Sequence, residues 1–504
     1  GGIVEYIGRV EDVDESRTWD ATGKIVCPGF IDIHSHADFP LYVDGLAQSG
    51  VRQGLTTAVI GNCGHGPAPA PNKELTKIVT IGYNDDWGID LAWNTFEEYL
   101  SSLLARGQSM NVAPLVPHGA VRLAAMGFDA RKPTSDELEH MKSLVAEAMS
   151  AGAIGLSTGL EYSPGQHSDE AELVALGRVA ALHGGVYASH IRERGDNFEV
   201  AVAEALNIGR GADIPIQLSH LAPRPYAPPG AFDRVLGMIS DARDKGLQIG
   251  IDTFPDPWGP AHLTDLLPPW VHEGPKEEVV RRLQDPETAE KCRQYVENPT
   301  NFLLRLGGFN AFYLTNSKGH PELIGHHLEE VSRQWGLGHT ETILKLAASD
   351  GVDFAGVLIR HIFATQPDLD RLLSDPYCSV GSDGASTSVD GILGDLAMNR
   401  SSFGYAPRFI REYALDRGMF TVEEAVRKLT SLPADSVQLR DRGRLAPGMA
   451  ADVVVFDREL VEDNSTDDAP QAYPSGIEMV AVNGEIVFQD GDHARRTPGR
   501  ALRS

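Results

Sequence analysis

The segment Phe30-Ile31-Asp32-Ile33-His34-Ser35-His36 carries the apolar pattern of a buried β-strand and ends in two histidines two positions apart. In a strand, residues i and i+2 point to the same face, so the pattern predicts that His34 and His36 project to the same side. Two neutral imidazoles placed in this way can bind one metal ion at ~2.0–2.1 Å. A single His-x-His pair also arises by chance, so this pair alone leaves a structural role open.

Seven further apolar runs have the same character, and each is followed by turn residues and a longer amphipathic segment. The eight runs are Lys24–His34, Leu55–Gly61, Asn111–Pro117, Gly152–Thr158, Gly185–His190, Ile214–His220, Leu247–Thr253 and Tyr377–Asp383. The segments between them include helical patterns at Ser135–Ser150 and Ala171–His183. Eight strands that alternate with helices predict an α/β fold, specifically a (β/α)8 TIM barrel.

Two parts of the chain lie outside this alternation. Residues 268–350 separate the seventh strand from the eighth, and a connection of this length is usually functional, so we interpret it as a lid-like insertion within the barrel. An insertion that merely packs on the barrel surface is the alternative. Both ends of the chain are rich in short valine and isoleucine runs, which predicts a small β-sandwich domain from residues 1–27 and 443–504 beside a barrel at residues 28–442.

Composition excludes several classes of partner. The 44 basic and 71 acidic residues give a formal net charge of -27, which repels polyanions and predicts no nucleic-acid partner. No apolar run has the length of a membrane span, so we expect no membrane partner. The 4 cysteines are too few and too scattered for a disulfide framework, which favours a cytoplasmic protein. The oligomeric state stays open.

Other potential ligands also stand at the carboxyl ends of predicted strands. These residues are Cys63, His190, His220 and Asp383. Because the carboxyl ends of barrel strands meet on one face, we expect these side chains to join His34 and His36 in a metal site. Each residue alone could equally be a polar side chain near the core, and an isolated buried cysteine is usually inert. Together they indicate a catalytic zinc, which lowers the pKa of bound water and polarises a carbonyl oxygen, with Asp383 either carrying a proton or acting as a ligand.

The motifs around these residues resemble a known family. Pro28-Gly29-Phe30-Ile31-Asp32-Ile33-His34-Ser35-His36, followed in order by His190, His220 and Asp383, is similar to the amidohydrolase superfamily. Within that superfamily, Gly61-Asn62-Cys63-Gly64, the segment 155–165 and the segment 442–448 resemble the N-acyl-D-amino-acid deacylases, or D-aminoacylases. The resemblance covers nearly the whole chain. It implies a zinc-bearing barrel, a small β-sandwich from both termini and a mobile insertion after the seventh strand.

The resemblance also implies roles for individual residues. Cys63, His190 and His220 would hold a tightly bound zinc ion (Zn²⁺), and a weaker second site would be formed by His34, His36 and Asp383. Asp383 would be the general base and acid. The substrate would be a small N-acyl compound, and the preference for a D-amino acid comes from the resemblance alone.

The chain departs from the family pattern where the substrate's carboxylate would bind. A lysine typically follows the sixth-strand histidine, but here His220 is followed by Leu221-Ala222-Pro223-Arg224. The family's Tyr-Pro-Tyr after the seventh strand is replaced by Phe254-Pro255-Asp256. A carboxylate clamp is often a bidentate arginine, so Arg192, Arg224 and Arg408 are the candidates, with Tyr162 as a further substrate contact. Arg192 has an alternative as a salt-bridge partner of Glu193 or Asp196.

Three readings of the function follow. The first is a zinc-dependent hydrolase that cleaves the amide of N-acyl-D-amino acids or related N-acyl compounds. The second keeps the metal site but changes the bond to a different amide, a cyclic amide, a dipeptide or a lactone. The third is a non-catalytic barrel that binds a metal or a small ligand, and the presence of Asp383 beside the proposed ligands argues against it.

Overall fold

The structure is a computed structural model and describes residues 2–9, 18–351, 356–396, 399–466 and 469–503. The strands in chain order are β1 (Ile25–Pro28), β2 (Phe30–Asp32), β3 (Leu55–Ile60), β4 (Asn111–Pro117), β5 (Gly155–Gly159), β6 (Val186–His190), β7 (Ile216–Leu218), β8 (Ile249–Thr253), β9 (Trp258–His262), β10 (Phe312–Asn316), β11 (Leu358–Ile362), β12 (Cys378–Val380), β13 (Val453–Phe456), β14 (Ile477–Val482), β15 (Glu485–Gln489) and β16 (Asp492–His493).

Helices connect most of these strands. The α-helices are α1 (Asp38–Val43), α2 (Gln48–Arg52), α3 (Lys73–Ile78), α4 (Phe96–Ala105), α5 (His118–Met126), α6 (Ser135–Ala151), α7 (Glu170–Leu182), α8 (Phe198–Ala212), α9 (Ala231–Asp244), α10 (Lys276–Leu283), α11 (Pro286–Val296), α12 (Phe302–Arg305), α13 (Leu328–Trp335), α14 (His339–Ser349), α15 (Gln366–Leu373), α16 (Ser401–Arg408), α17 (Val422–Leu429) and α18 (Ser431–Ser436). A π-helix at Phe409–Asp416 continues from α16. No helix in the described ranges combines the length and apolarity needed to cross a membrane.

Eight parallel strands form the barrel, in the order β12-β8-β7-β6-β5-β4-β3-β2. The first and last of them are joined by a parallel bridge between Ser35 and Gly384, and the Asp383 N–H donates to the His34 carbonyl at 3.0 Å. The predicted (β/α)8 barrel is therefore confirmed. Its closing seam brings the segment after β2 against the segment after β12.

Local sequence explains the regular elements of the barrel. Every residue of β3 and β4 is buried, as expected for parallel strands that are covered on both faces. Helix α6 begins with a capping box in which Thr134 and Glu137 satisfy each other's backbone N–H groups. It ends at Gly152, whose φ of 123° suits a residue without a Cβ.

The apolar run Lys24–His34 forms two strands, so its prediction as one barrel strand was wrong. Strand β1 pairs antiparallel with β13, outside the barrel, whereas β2 pairs with β3 inside it. The Gly29 N–H between them donates to the Asp452 carbonyl at 2.9 Å. Both halves of the run are apolar, and only the distant pairing partner decides which sheet each half joins.

The terminal segments build a second sheet with the antiparallel order β1-β13-β14-β15-β16. Ile3 adds an isolated bridge to Ala450. The last described residues run beside β4, where the Leu502 N–H donates to the Val112 carbonyl at 2.8 Å. Of the predicted terminal domain, residues 1, 10–17, 467, 468 and 504 lie outside the described residues.

The chain between β8 and β12 forms a unit of its own. Strand β11 lies between β10 and β9 in an antiparallel sheet, and helices α10–α14 pack with it around a separate apolar core. The predicted insertion, residues 268–350, lies inside this unit. The unit forms one wall of a cavity of about 300 Å³, whose other walls come from the barrel segments that follow β2, β3, β5, β6, β7 and β12.

Candidate active site

Six side chains meet at the carboxyl ends of the barrel strands. They are His34, His36, Cys63, His190, His220 and Asp383, and we call them the six-residue cluster. The Cys63 Sγ lies 3.2 Å from the His34 Nε2 and 3.6 Å from the His220 Nε2. The Asp383 Oδ1 lies 3.2 Å from the His36 Nε2 and 3.5 Å from the His34 Nε2. All six predicted ligands are therefore neighbours, although their positions span most of the chain.

The cluster contains three overlapping groups with the geometry of a metal site. In each group the potential ligand atoms all lie within 4.8 Å of one another. The groups are His34, His36 and Cys63; Cys63, His190 and His220; and His34, His220 and Asp383. A thiol with imidazoles is a donor set that zinc accepts, and a neighbouring carboxylate adds an oxygen donor. The residues present therefore fit a catalytic metal site.

Asp252 orients two of the histidines from behind. Its Oδ1 lies 3.1 Å from the His34 Nδ1 and accepts the backbone N–H of His220 at 2.8 Å. Its Oδ2 accepts from the Gln217 side-chain amide at 2.7 Å. A carboxylate on one ring nitrogen directs the other nitrogen toward a metal, which is the usual arrangement behind a ligating histidine. The sequence carried one signal for this residue, an acidic side chain inside the buried strand β8.

The backbone is strained at three members of the cluster. Cys63, His220 and Asp383 have φ values of 55°, 33° and 47°, in a region that residues with a Cβ seldom occupy. Such strain persists when the surrounding structure imposes it, and it concentrates at functional sites. Each of the three residues follows a barrel strand, so the turn that ends the strand also aims the side chain inward.

The charges in the cluster stabilise its anionic forms. Burial opposes ionisation of Cys63, but His34, His190 and His220 outweigh it and hold the pKa of the thiol well below its usual range. Burial also opposes ionisation of Asp383, yet His34 and His36 hold the pKa of this carboxyl well below its usual range. A thiolate and a carboxylate are the forms that bind a metal ion.

Tyr162 and Arg224, two of the predicted substrate contacts, line the cavity. The Tyr162 hydroxyl lies 3.1 Å from the His190 Nδ1, and its ring stacks on His65 with centroids 4.7 Å apart. Arg224 is 6% exposed, forms an ion pair with Glu161, and lies over the Phe302 ring at 4.8 Å. Phe302 belongs to α12, so the insertion reaches this wall.

The structure does not bring Arg192 to the cavity. Its guanidinium forms an ion pair with Glu204 at 2.9 Å and donates to the carbonyls of Gln166 and Ser168 at 2.8 and 3.0 Å. Its partner is thus Glu204 on α8, and the prediction of Glu193 or Asp196 as its partner was wrong. Arg192 stands two residues after His190, and at this spacing the chain turns it toward the helices.

The negative charge of Asp256 is also balanced outside the cavity. Its carboxylate accepts from the Arg408 Nη1 at 2.5 Å and from the Trp258 N–H at 3.0 Å. The replacement of the family's second tyrosine by Asp256 is therefore accompanied by a partly buried cationic partner on α16. Arg408, the third candidate for the carboxylate clamp, is bound to Asp256 and is not among the residues that line the cavity.

Sequence reasoning missed several residues of the cavity wall. Glu161 accepts from Arg224 and lies 2.9 Å from the His190 Nε2. Arg194, His65 and His361 also line the cavity. Glu161 lay inside a motif that indicated the family, but nothing in the sequence separated Arg194 from Arg192, since both follow the same strand.

Comparison with known proteins gives a consistent result. The amidohydrolase family matches residues 17–256 and 341–488. An N-acyl-D-glutamate deacylase of Alcaligenes xylosoxydans xylosoxydans is 34% identical, over 100% of this chain and 91% of the relative. A D-aminoacylase of the same organism is 30% identical, over 99% of this chain and 92% of the relative. The crystal structure of an N-acyl-D-glutamate deacylase from Bordetella bronchiseptica, complexed with zinc and a phosphonate mimic of the tetrahedral intermediate, has a TM-score of 0.81 and 32% identity, and the match covers 100% of this chain and 94% of that one.

Proposed function

This chain belongs to the amidohydrolase family, and from that premise we propose that it is a zinc-dependent hydrolase that cleaves the amide bond of N-acyl-D-amino acids or related N-acyl compounds. The observation that carries the proposal is the six-residue cluster at the mouth of the barrel. Cys63, His190 and His220 would hold the tightly bound zinc, and His34, His36 and Asp383 would form a weaker second site. When bound, zinc supplies a Lewis acid that polarises the scissile carbonyl and lowers the pKa of water.

Asp383 performs the proton transfers in this proposal. His34 and His36 keep its carboxyl ionised at neutral pH, so an oxygen of Asp383 is free of a proton when the substrate arrives. The carboxylate takes a proton from the attacking water and returns it to the leaving nitrogen. Asp383 lines the cavity, so its carboxylate is accessible to a substrate bound there.

Tyr162 and Arg224 are further substrate contacts in this proposal, since both line the cavity. Tyr162 is fixed between His65 and His190, which leaves its phenol at the cavity surface. Arg224 is held by Glu161, and its position under Phe302 ties substrate contact to the insertion. The insertion excludes water from the cavity while the amide is cleaved.

The test is the release of primary amine from matched N-acetyl-D- and N-acetyl-L-amino acids by the zinc-reconstituted protein. We expect turnover of the D series, and we expect Asp383→Asn to lower kcat by about 10²- to 10⁴-fold with zinc still bound. Turnover of a cyclic amide or a lactone with silence on all N-acyl compounds would replace the proposed substrate. Full activity of Asp383→Asn would remove Asp383 from the mechanism.

A further inference from the structure

Arg194 is a buried cation that forms no ion pair with any residue the structure describes. It stands four residues after His190, is 3% exposed, and lines the cavity. Its Nε and Nη1 atoms are buried without a hydrogen-bond partner, and among the described residues it forms no ion pair. Burying a guanidinium costs several kcal/mol unless an anion and hydrogen-bond acceptors compensate. An unpaired guanidinium in the wall of a cavity therefore indicates that the cavity's ligand supplies the anion.

The surroundings of Arg194 fix its position. Its guanidinium carbon lies 4.2 Å from the centroid of the Phe363 ring. Its carbonyl accepts the Arg224 N–H at 2.9 Å, which joins the segments that follow β6 and β7. The Phe363 ring in turn contacts the His220 ring edge-on, with centroids 5.9 Å apart. A single aromatic ring thus separates Arg194 from a member of the six-residue cluster.

The carboxylate beside Arg194 is already engaged by other groups. Glu161 is the carboxylate between the two arginines, and it is already bound to Arg224 and to His190. Burial and the like charge of Arg224 lower the pKa of Arg194 to about 10, so the group remains cationic at neutral pH. The charges of Glu161 and Asp383 act on Arg194 from a distance, but among the described residues neither carboxylate forms an ion pair with it, so a ligand with one negative charge can take that position.

We propose that Arg194, in place of the lysine that the family typically carries after the sixth-strand histidine, is the group that binds the substrate's carboxylate. The inference rests on the proposed function. It departs from the candidates Arg192, Arg224 and Arg408, since Arg192 is bound to Glu204, Arg224 to Glu161 and Arg408 to Asp256. A guanidinium offers a carboxylate two parallel N–H donors, which gives direction as well as charge.

The experiment compares acids with their carboxamides. The substrates are N-acetyl-D-amino acids with apolar, polar and acidic side chains, each paired with its own carboxamide. The proteins are wild type, Arg194→Gln, Arg194→Lys and the control Arg234→Gln, which removes an exposed arginine that pairs with Glu199 on the outer helices. We expect Arg194→Gln to lower kcat/KM for the acids by about 100-fold, mainly through KM, and to leave the carboxamides within about threefold. Arg194→Lys should give an intermediate kcat/KM for the acids, because lysine keeps the positive charge but lacks the two parallel N–H donors.

Two further readouts separate binding from folding. Because the variant loses an uncompensated buried charge, its melting temperature without ligand should not fall. Calorimetry should show that wild type binds the acids and that Arg194→Gln does not.

Several results would overturn the proposal. An equal loss on acids and carboxamides would indicate a structural role for Arg194, and an unchanged kcat/KM for the acids would remove it from the site. Hydrolysis of carboxamides alone by wild type would also contradict it. If wild type binds the acids through Arg194 but cleaves nothing, the proposed function fails while the carboxylate site stands; if it neither binds nor cleaves them, both fail.

Discussion

At the residue scale, the cluster depends on side chains that hold its members in place. Asp252 contacts His34 through the ring and His220 through the backbone, and both contacts are buried. The strained backbone at His220 needs such a restraint, because its φ of 33° is unfavourable without one. Asp252 thus positions two potential ligands that come from different strands.

The substitution Asp252→Asn tests this positioning. The amide keeps the volume but presents a donor as well as an acceptor, so the His34 ring loses its charged partner. We expect the zinc affinity to fall by about 10- to 100-fold, measured by competition with a chromogenic chelator. The control is Asp370→Asn, which makes the same change in a partly exposed carboxylate that binds Arg417 away from the cavity. Equal affinities in wild type and Asp252→Asn would show that Asp252 has no positioning role.

At the element scale, ion pairs tie the insertion to the loops of the barrel. Lys276 at the start of α10 pairs with Asp85 at 2.9 Å, and Lys318 pairs with Asp86 at 2.9 Å. On other loops, Glu273 of the insertion lies 3.2 Å from His167, and Arg305 forms an ion pair with Asp196. Lys276 and Lys318 also line the cavity, so these ion pairs favour the arrangement in which the insertion forms one of its walls.

The substitution Lys276→Met should weaken the attachment of the insertion to the barrel loops. Partly exposed ion pairs are worth ~0.2–1 kcal/mol, so we expect kcat/KM to fall about two- to fivefold and hydrogen exchange in α10 to accelerate. The control Lys291→Met removes an exposed pair with Glu287 inside the insertion. Identical hydrogen exchange and kinetics in the two variants would contradict a role of Lys276 in holding the insertion against the barrel.

The same pair predicts a dependence on pH. Burial raises the pKa of Asp85, but Lys276 outweighs it and the net pKa is lowered. Because the pKa of Asp85 is lower in the folded state than its ordinary value of about 3.9, the ion pair is fully stabilising above pH ~4. This stabilisation is lost as the pH falls through the pKa of the folded state. The exchange rate of α10 in wild type should therefore rise toward that of Lys276→Met only in this acid range.

At the scale of the whole molecule, the end of the chain completes the core of the barrel. Leu502 is 7% exposed and packs with Ile31, Val59 and Ala113 from the first three barrel strands. Hydrogen bonds from Gly499 to Gln108 and from Leu502 to Val112, both 2.8 Å, hold the tail along β4. These C-terminal residues thus connect the terminal sheet to strand β4 of the barrel.

The substitution Leu502→Ala should destabilise the protein without touching the site. Removing a buried leucine side chain costs about 2–5 kcal/mol, so we expect a lower melting temperature with kcat unchanged at a permissive temperature. Leu460→Ala, at a leucine that is 58% exposed, is the matched control and should have little effect. A melting temperature equal to that of the control would show that the tail does not contribute to the core.

Sequence reasoning predicted most of the barrel because its strands are continuous apolar runs that local composition reveals, as in β3 and β4. It failed where distant contacts decide the outcome. The run Lys24–His34 divides between two sheets because β1 finds its partner in β13, more than four hundred residues away. Strands β9 and β11 carry Pro, Gly, His and Arg, so no alternation marked them.

The six-residue cluster could be predicted because ligand residues at strand ends converge in any barrel. The walls of the cavity could not, because the direction of a loop side chain is set by packing. Arg192 and Arg194 lie two positions apart, yet one binds Glu204 and the other faces the cavity. The roles of Glu161 and Asp252 depend on partners from other strands, which a single sequence does not show.

X-ray absorption spectroscopy of the zinc-loaded protein tests the central claim most directly. If Cys63, His190 and His220 hold the metal, the zinc spectrum will show one sulfur neighbour at about 2.3 Å together with nitrogen neighbours at about 2.0–2.1 Å, and Cys63→Ser will lose the sulfur shell. A spectrum of wild type with nitrogen and oxygen neighbours alone, or one unchanged in Cys63→Ser, would contradict the assignment of the six-residue cluster as a metal centre built on Cys63.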